Sequence, residues 1–458
     1  MATFPEKTIY SFSLESANAY YTCPESIEEL QEIIDYARNN GFKICPAGGL
    51  QSFSKVCLIS KQIALDLTSF NRILFFDPDA RQIIVEGGIK VLDVLSKTLP
   101  YGLILKSLTG STNNTIAGNV SSDVNGKDSW KNGNFGANIL SMKVLLSDGR
   151  LVVTSPSQKS DLFYSVIGGL GSIGIVVEAT LGLQRVPSTT LLARSQKVRH
   201  ISELLDVMDQ LDPNQDEYAY CWTNPDVSDS GLGSGICEKA HFIPGEKIEN
   251  DPLRIKAKDR IFGLPIPIFW RTFGQLMDGS ALKIANLLKY HFSPAHKTQK
   301  LRFQSFQYPM VKLFPQWNLK YAPHGFREWQ ILFDKDVFHD AYIEILTLSK
   351  KRGLKPKLCG VRKHCPQSAY LSFAGDGYSM TLNYGRRDIA EQKIKEFENE
   401  LIKLILSFEG KVYLSKYPYI HPEDLRKMYP SFNHFQACKR AYDKESLFYS
   451  DATANWGM

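Results

Sequence analysis

Residues 108–136 read LTGSTNNTIAGNVSSDVNGKDSWKNGNFG, a long run of Gly, Asn, Ser and Thr set between two hydrophobic segments. Such a stretch is either a linker or a loop wrapped around something. Long structureless loops inside compact domains are usually functional, so the flanking elements decide between the two. Upstream, SIEELQEIIDYARNN (26–40) carries Ile27, Leu30, Ile33, Ile34 and Ala37 at helical spacing, with Ser26 as N-cap and Gly41 as the stop. FKICPAGGLQSF predicts a strand running into a Gly-Gly turn; QIALDLTSFNRILFFD and RQIIVEGGI predict further alternating strands, and VLDVLSKTL a short helix. Downstream, NILSMKVLLSDGRLVVT predicts a hairpin turning at Asp148-Gly149, DLFYSVIGG a helical turn, and GIVVEATLGLQRV a long strand. The first part of the chain is therefore α+β, built of short strands joined by glycine turns.

The remainder changes texture. Aromatic-rich alternation (FREWQILF, SAYLSFAGDGYSMTLNY) and the helical run AEQKIKEFENELIKLILSFEG predict a second α+β domain. A short strand, KVYLSKY, and the helical HPEDLRKMYPSFNHFQACKRAYD follow Gly410. A length of 458 residues also exceeds what a single core usually supports.

A net charge of +6 is a mild positive balance. It suits anionic ligands, and the chain lacks the aromatic-plus-basic repeats or zinc-finger spacings that would argue for nucleic acid. The eight scattered cysteines, with no C-x-x-C pair, read as reduced thiols of a cytoplasmic protein. MATFPEKTIYSFS lacks a signal-peptide profile, and no apolar run is long enough to span a bilayer. The expectation is a cytoplasmic chain, at most peripheral at the inner face of the membrane. His291 and His296 have no carboxylate or cysteine at ligand spacing, so no metal site is expected.

Residues 169–174, GLGSIG, match G-x-G-x-x-G, but helical DLFYSVI precedes them and β-branched IVVEAT follows. A dinucleotide fingerprint needs the reverse order, so that reading is rejected. The glycine clusters at 46–52, 108–119 and 168–174 instead suggest loops whose inward N–H groups grip a diphosphate, since glycine lets backbone approach a ligand closely.

In order, PAGGLQS, DLTSFNRI, VEGGIKVLDVLSKTLPYGL, TGSTNNTIAGNVSSDVNGKD, FGANILSMKVLLSDGRLV and GGLGSIGIVVEATLGL resemble the vanillyl-alcohol-oxidase/PCMH-type FAD-linked oxidoreductases. Among these the chain looks most like the branch that oxidises polyprenyl-phosphoryl ribose. The resemblance implies an α+β, two-domain PCMH-type FAD-binding fold: residues 1–187, completed by 411–458, around an inserted α+β substrate domain, 188–410. It implies that 108–136 wraps the cofactor. Matching motifs assign FAD contacts to Ala47, Gly48, Gly49, Leu50, Gln51, Ser52, Gly110, Thr115, Ile116, Ala117, Gly118, Asn125, Gly126, Lys127, Asp128, Ile175 and Tyr413. Gln51 stands where covalently flavinylated members have His, and the second loop has no Cys, so FAD is expected to be non-covalent.

The resemblance also implies an active-site Tyr413 and Lys416, with Lys416 handling a proton or stabilising the flavin anion. Substrate-binding positions fall on Glu328, Gln330, Arg362, Ser379, Thr381 and Tyr308. Strand alternation puts Glu328 and Gln330 on one face and Arg327 and Trp329 on the other. Five positions depart from the relatives' pattern: Asn125 replaces His, Glu328 replaces Gln, Arg362 replaces Lys, Ser379 replaces Asn, and Thr381 replaces Cys. Glu328 reads as a second acid/base, a specificity change or a plain edge-strand carboxylate. Finally, RIKAKDRIFGLPIPIFWRTFG (254–274) joins Arg254, Lys256, Lys258 and Arg260 to Phe262, Phe269 and Trp270. It reads either as a flap that meets anionic headgroups and dips its rings into a membrane, or as an internal loop with a solvated basic flank. The expected activity is oxidation of a sugar hydroxyl, with a polyprenyl-phosphoryl sugar or a soluble sugar, lactone or alcohol as substrate. A separate NAD(P)H-dependent keto-reductase is the expected partner for an epimerisation to arabinose. A flavin-binding protein without turnover is the remaining alternative.

Overall fold

The computed structural model of the protein describes residues 4–225, 231–245, 259–274, 280–387 and 390–456. Near the N-terminus a four-stranded sheet runs in the order Glu6–Tyr10, Ser16–Thr22, Ile63–Asp66, Ile44–Ala47, its last two pairings parallel. The helix Ile27–Asn40 makes the crossover. Ser26 accepts from Glu29 N–H at its start and left-handed Gly41 (φ 71°) closes it. Its apolar stripe, Leu30, Ile33, Ile34 and Ala37, packs on Ile44, Ile63 and Leu65.

An antiparallel five-stranded sheet lies next to it, ordered Ile73–Asp77, Gln82–Glu86, Ile175–Gly182, Ile139–Leu145, Leu151–Thr154. It is buried on both sides of its central strands. Leu145, Ile175 and Val177 join the core of the first sheet, whereas Val144, Val176 and Ala179 join the large central core. The chain end returns here: residues around Phe448 pair with Ile44.

The second body is an antiparallel sheet of eight strands, in the order His296–Arg302, Thr190–Val198, Gly235–Phe242, Tyr218–Thr223, Leu358–His364, Gly377–Gly385, Phe326–Asp334, Lys411–Val412. One face is covered by helices; Trp329 packs edge-on and Tyr384 tilted against Phe397 of the helix Glu391–Ser407. Alternation turns Glu328, Gln330 and Ser379 to the other face, toward the glycine loops.

Several expectations need correction. The segment 108–136 is not structureless, because Ile116 and Val120 at i and i+4 bury one side of a helix, Ile116–Ser122, capped by Thr115. A second short helix spans Ser129–Asn132. KVYLSKY is a strand only at Lys411–Val412, since Lys416 and Tyr417 N–H turn back to the Tyr413 carbonyl. In SAYLSFAGDGYSMTLNY the strand begins only at Gly377. The cysteines are not all free thiols, because Cys221 and Cys237 face each other in register across two strands and are disulfide-bonded. That cross-strand pairing has no signature in their sequence spacing.

The third glycine cluster is locked to the chain end by a buried ion pair. Lys439 Nζ bonds to Asp443 and to the carbonyls of Ser172 and Phe448, while Asp443 accepts the Leu447 and Phe448 N–H groups at 2.8 and 2.9 Å. Removing one partner leaves a buried charge uncompensated. Asp443→Ala is therefore expected to destabilise the protein by about 3–5 kcal/mol, read as a lowered urea midpoint. Adding Lys439→Met should restore part of the loss.

Candidate active site

Between the two bodies lies a cleft of about 380 Å³, within the range of small-molecule sites. One wall consists of the loops 46–52, 109–119 and 170–176. The opposite wall is the eight-stranded sheet, which presents Glu328, Gln330 and Arg362, and the turn after its last strand, which adds Tyr413, Ser415 and Lys416. Phe12, Phe53 and Trp317 close one side.

The loop wall is packed backbone to backbone. A Cβ on Gly48 would fall 2.3 Å from Thr115 Oγ1, and one on Gly49 would fall 2.2 Å from the Asn113 carbonyl oxygen. Glycine is required here by close approach, not by positive φ. Two amides beside this cradle keep buried polar atoms without a hydrogen-bond partner in the protein: Asn114 Oδ1 and Asn119 Nδ2. Buried groups of that kind are normally satisfied, so the cradle fits a ligand that carries both donors and acceptors.

The sheet wall holds two connected polar systems. In the first, Lys416 Nζ is ion-paired with Glu328 Oε1, and Glu328 Oε2 accepts Asn383 Nδ2 at 3.0 Å. Asn383 is fixed in turn by the Tyr321 hydroxyl at 2.8 Å. Burial pushes the Lys416 ammonium below its ordinary pKa, an effect that Glu328 opposes. In the second, Asn125 Oδ1 accepts Arg362 Nη1 at 2.7 Å and Gln330 Nε2 at 3.0 Å. Gln330 also donates to Ser379 Oγ, which meets His364 Nε2 at 2.8 Å. Burial pushes His364 down to about 3, so this end of the chain is a neutral imidazole. Tyr413 donates its hydroxyl to the Ser122 carbonyl at 2.8 Å, and burial raises its pKa far above the phenolic range.

Residues 18–155 match the family model described as an FAD binding domain. The chain is similar to the decaprenylphosphoryl-beta-D-ribose oxidase of Mycolicibacterium smegmatis, with 25% identity over 403 residues, covering 85% of this chain and 84% of that one. This chain is an FAD-linked oxidoreductase. Shorter similarities reach the putative D-arabinono-1,4-lactone oxidase of Neurospora crassa, 28% identical over 45% of this chain and 36% of the relative. The bovine L-gulonolactone oxidase is 27% identical over 44% of this chain and 46% of its own length. The residues present fit the cofactor: the glycine cradle and the unpartnered amides of Asn114 and Asn119 suit the polar length of FAD, and the charged sheet wall suits its reacting end.

Of the residues expected from sequence, Ala47 to Ser52, Gly110, Thr115, Ala117, Gly118, Asn125, Ile175, Glu328, Gln330, Arg362, Tyr413 and Lys416 line this one cleft. The others do not. Ile116 is buried in the core beneath it. Gly126, Lys127 and Asp128 lie one layer behind. Lys127 Nζ bonds to the Phe306 carbonyl between the Tyr220 and Phe306 rings, and burial pushes it down to about 7. Asp128 accepts the Ser107 N–H at 2.9 Å, and burial pushes it up to about 6. Ser379 reaches the cleft only through Gln330, Thr381 sits opposite Gln330 in register, and Tyr308 packs against Phe303. Sequence reasoning missed Asn114, Asn119, the aromatic side wall and Asn383. Asn383 had a signal, being two residues beyond Thr381 on the strand face already singled out.

In the basic, aromatic stretch, Arg254, Lys256 and Lys258 lie outside the described residues. Phe269 and Trp270 do not face solvent; they pack with Leu264, Phe314 and Trp317, and Trp270 Nε1 donates to the Pro315 carbonyl at 3.0 Å. The helix Ile266–Phe273 turns these rings inward and leaves Ile268 and Phe273 outside, while Phe262 just before it is 91% exposed. Among the described residues no helix is long and apolar enough to cross a membrane.

The glycine cradle generates a direct test. Gly49→Ala forces a methyl group onto the Asn113 carbonyl and should separate the first two loops. The purified variant is expected to carry little flavin, measured as the ratio of visible to ultraviolet absorbance against wild type.

Proposed function

We propose that the protein oxidises a secondary hydroxyl of a sugar, with polyprenyl-phosphoryl-β-D-ribose as the substrate and its 2-keto form as the product. This is the first half of an epimerisation to arabinose, completed by a separate NAD(P)H-dependent reductase. The observation that carries the reading is the single cleft joining the glycine cradle to the Lys416–Glu328 and Arg362–Asn125 systems. Bound FAD supplies the two-electron oxidant. The 46–52 and 109–119 loops hold it, and Lys416 supplies a buried cation at the reacting end. Gln330 and Arg362 orient the sugar, while Tyr413, tied to Ser122, keeps its proton and packs the site. Gln51 in place of a flavinylating His supports non-covalent binding. Cys57, which also lines the cleft, is held as a protonated thiol by burial, with a pKa pushed up to about 11.

The similarity to an oxidase of decaprenylphosphoryl ribose over most of both chains supports the lipid-linked substrate. A surface feature adds to it. Residues 259–274 and 280–302 carry Arg260, Arg271, Lys283, Lys289, Lys297, Lys300 and Arg302 against one acid, Asp259. Ile284, Leu288 and Phe292 form an exposed stripe along the helix Ser280–Phe292, and Phe262, Ile268 and Phe273 are exposed on and just before the helix Ile266–Phe273. Basic side chains around exposed apolar ones suit peripheral contact with an anionic membrane. The cytoplasmic inner face is the side proposed, although a disulfide such as Cys221–Cys237 is uncommon in a reducing compartment. A second reading, a soluble aldonolactone or sugar, is favoured by the charged pair Glu328 and Arg362 at positions facing the substrate end.

Anaerobic mixing with polyprenyl-phosphoryl ribose is expected to bleach the visible flavin band. Lys416→Ala should slow that bleaching by roughly 10²–10³, with flavin still bound. Bleaching by an aldonolactone but not by the lipid-linked ribose would select the second reading. If no sugar reduces the flavin, and Lys416→Ala leaves its spectrum and potential untouched, the protein binds flavin without turnover.

A further inference from the structure

Glu328 is a buried carboxylate in a cleft whose other charged groups, Lys416 and Arg362, are both cations. It sits on the strand Phe326–Asp334, paired along its whole length with Gly377–Gly385, so its backbone cannot withdraw. Its carboxylate is held at both oxygens, by Lys416 Nζ and by Asn383 Nδ2, and Tyr321 anchors Asn383 from behind. Each carboxylate oxygen still has a free lone-pair direction, and the side chain lines the cleft. The nearby alternatives are less suited to taking a proton. Tyr413 already donates its hydroxyl to the Ser122 carbonyl, and His364 lies behind Gln330 and Ser379, away from the cleft wall.

We propose that Glu328 is the proton acceptor for the substrate hydroxyl, and that Lys416 is the cation left behind to face the negative charge that the reaction creates. The inference rests on the reading of the substrate as a secondary alcohol. The O–H bond breaks and its proton passes to a Glu328 oxygen; the electron pair left on oxygen closes the carbonyl. The C–H bond breaks with its pair, which leaves as hydride to the bound, oxidised FAD. The alcohol loses two electrons, the flavin gains two, and the Glu328 carboxylate becomes a carboxylic acid.

Charge conservation is the physical reason for this arrangement. Before transfer the cleft holds two cations, Lys416 and Arg362, against one anion, Glu328. Afterwards it holds the same two cations against the anion of the reduced flavin, and Glu328 is neutral. No net charge is created in a desolvated cleft, where an unpaired one is expensive. Lys416 need not move far or change protonation. A glutamine at position 328 would forfeit both halves of this, accepting no proton and leaving Lys416 without a counter-charge in the oxidised state.

The proposal makes Glu328 take up a proton whenever the flavin is reduced, with or without a sugar present. The test is the pH dependence of the flavin midpoint potential in the holoenzyme, measured by anaerobic dye equilibration. Wild type is expected to take up two protons per two electrons above the pH at which bound reduced flavin is anionic; Glu328→Gln should take up one, and Glu328→Asp two. An equal count in wild type and Glu328→Gln would overturn the proposal, and so would a count of one in wild type alone, even if Glu328→Gln failed to fold or hold FAD. Where a sugar bleaches the flavin, Glu328→Gln should lower the reduction rate about 10²–10³-fold. It should leave KM within a few-fold and abolish the acidic limb of the pH–rate profile, which Glu328→Asp should retain. A persistent limb in Glu328→Gln would also overturn it. The proton count needs no sugar, so failure of the lipid-linked reading and failure of this one remain separate results.

Discussion

The side chain of Asn125 joins the two bodies of the molecule at the wall of the cleft. It comes from the glycine- and asparagine-rich segment, and it bonds to Gln330 and Arg362 on two different strands of the eight-stranded sheet. Its neighbours do the same work on either side. Asp123, buried and left-handed at the end of the helix Ile116–Ser122, accepts Ser372 Oγ and Gln367 Nε2. The Lys127 carbonyl accepts the Ala219 N–H at 2.8 Å. Residues 123–127 are thus a seam: every second side chain or carbonyl reaches across to the other body. The position of the sheet wall relative to the glycine cradle is fixed by these hydrogen bonds together with the hydrophobic core that both bodies share. They lie in low dielectric, where a satisfied polar network is stiff and a broken one is costly.

Three lysines, two buried and one at the cleft wall, show how differently this fold treats a cation. Lys439 has a carboxylate and two carbonyls and serves only to fasten the chain end to the third glycine cluster. Among the described residues the Lys127 Nζ meets only a carbonyl and two ring faces, and burial pushes its pKa down to about 7. Lys416 stands between these cases. It has one carboxylate, Glu328, plus the face of Phe53, and both partners line the cleft. A structural ion pair is surrounded by protein, whereas this one borders the space that the ligands occupy. Location, rather than the pairing itself, is what separates Lys416 from the scaffolding Lys439.

Much of the first body was legible in the sequence because its signals are local. Ser26, the apolar stripe and Gly41 define one helix, Asp148-Gly149 one hairpin, and the order helix–GLGSIG–strand is the reverse of a Rossmann G-x-G-x-x-G fingerprint. The glycines at 48 and 49 were legible as a close-approach loop, although the surface they press on in the structure is the second loop, at Asn113 and Thr115. The failures share a different cause. Phe269 and Trp270 look membrane-seeking in sequence, but helical geometry turns them onto Phe314 and Trp317, which are some forty residues away in the chain. The Glu328–Lys416 pair spans 88 residues and the Cys221–Cys237 bond joins facing strands. Neither has a periodicity to read. Pairings set by sheet order become visible only once the order is known.

Trp317 links the surface to the cleft. It lines the cleft with Phe12 and Phe53, stacking edge-on against both, and it also packs against the buried rings of the helix Ile266–Phe273. The outer side of that helix exposes Ile268 and Phe273. An apolar path therefore runs from exposed side chains through one helix to the aromatic wall of the cleft, with the charged pair Glu328–Lys416 on its far side. That path consists of packed, buried and half-buried rings, so it couples the exposed helix side to the cleft wall mechanically, and a shift of the helix is transmitted to the aromatic wall without any opening to solvent.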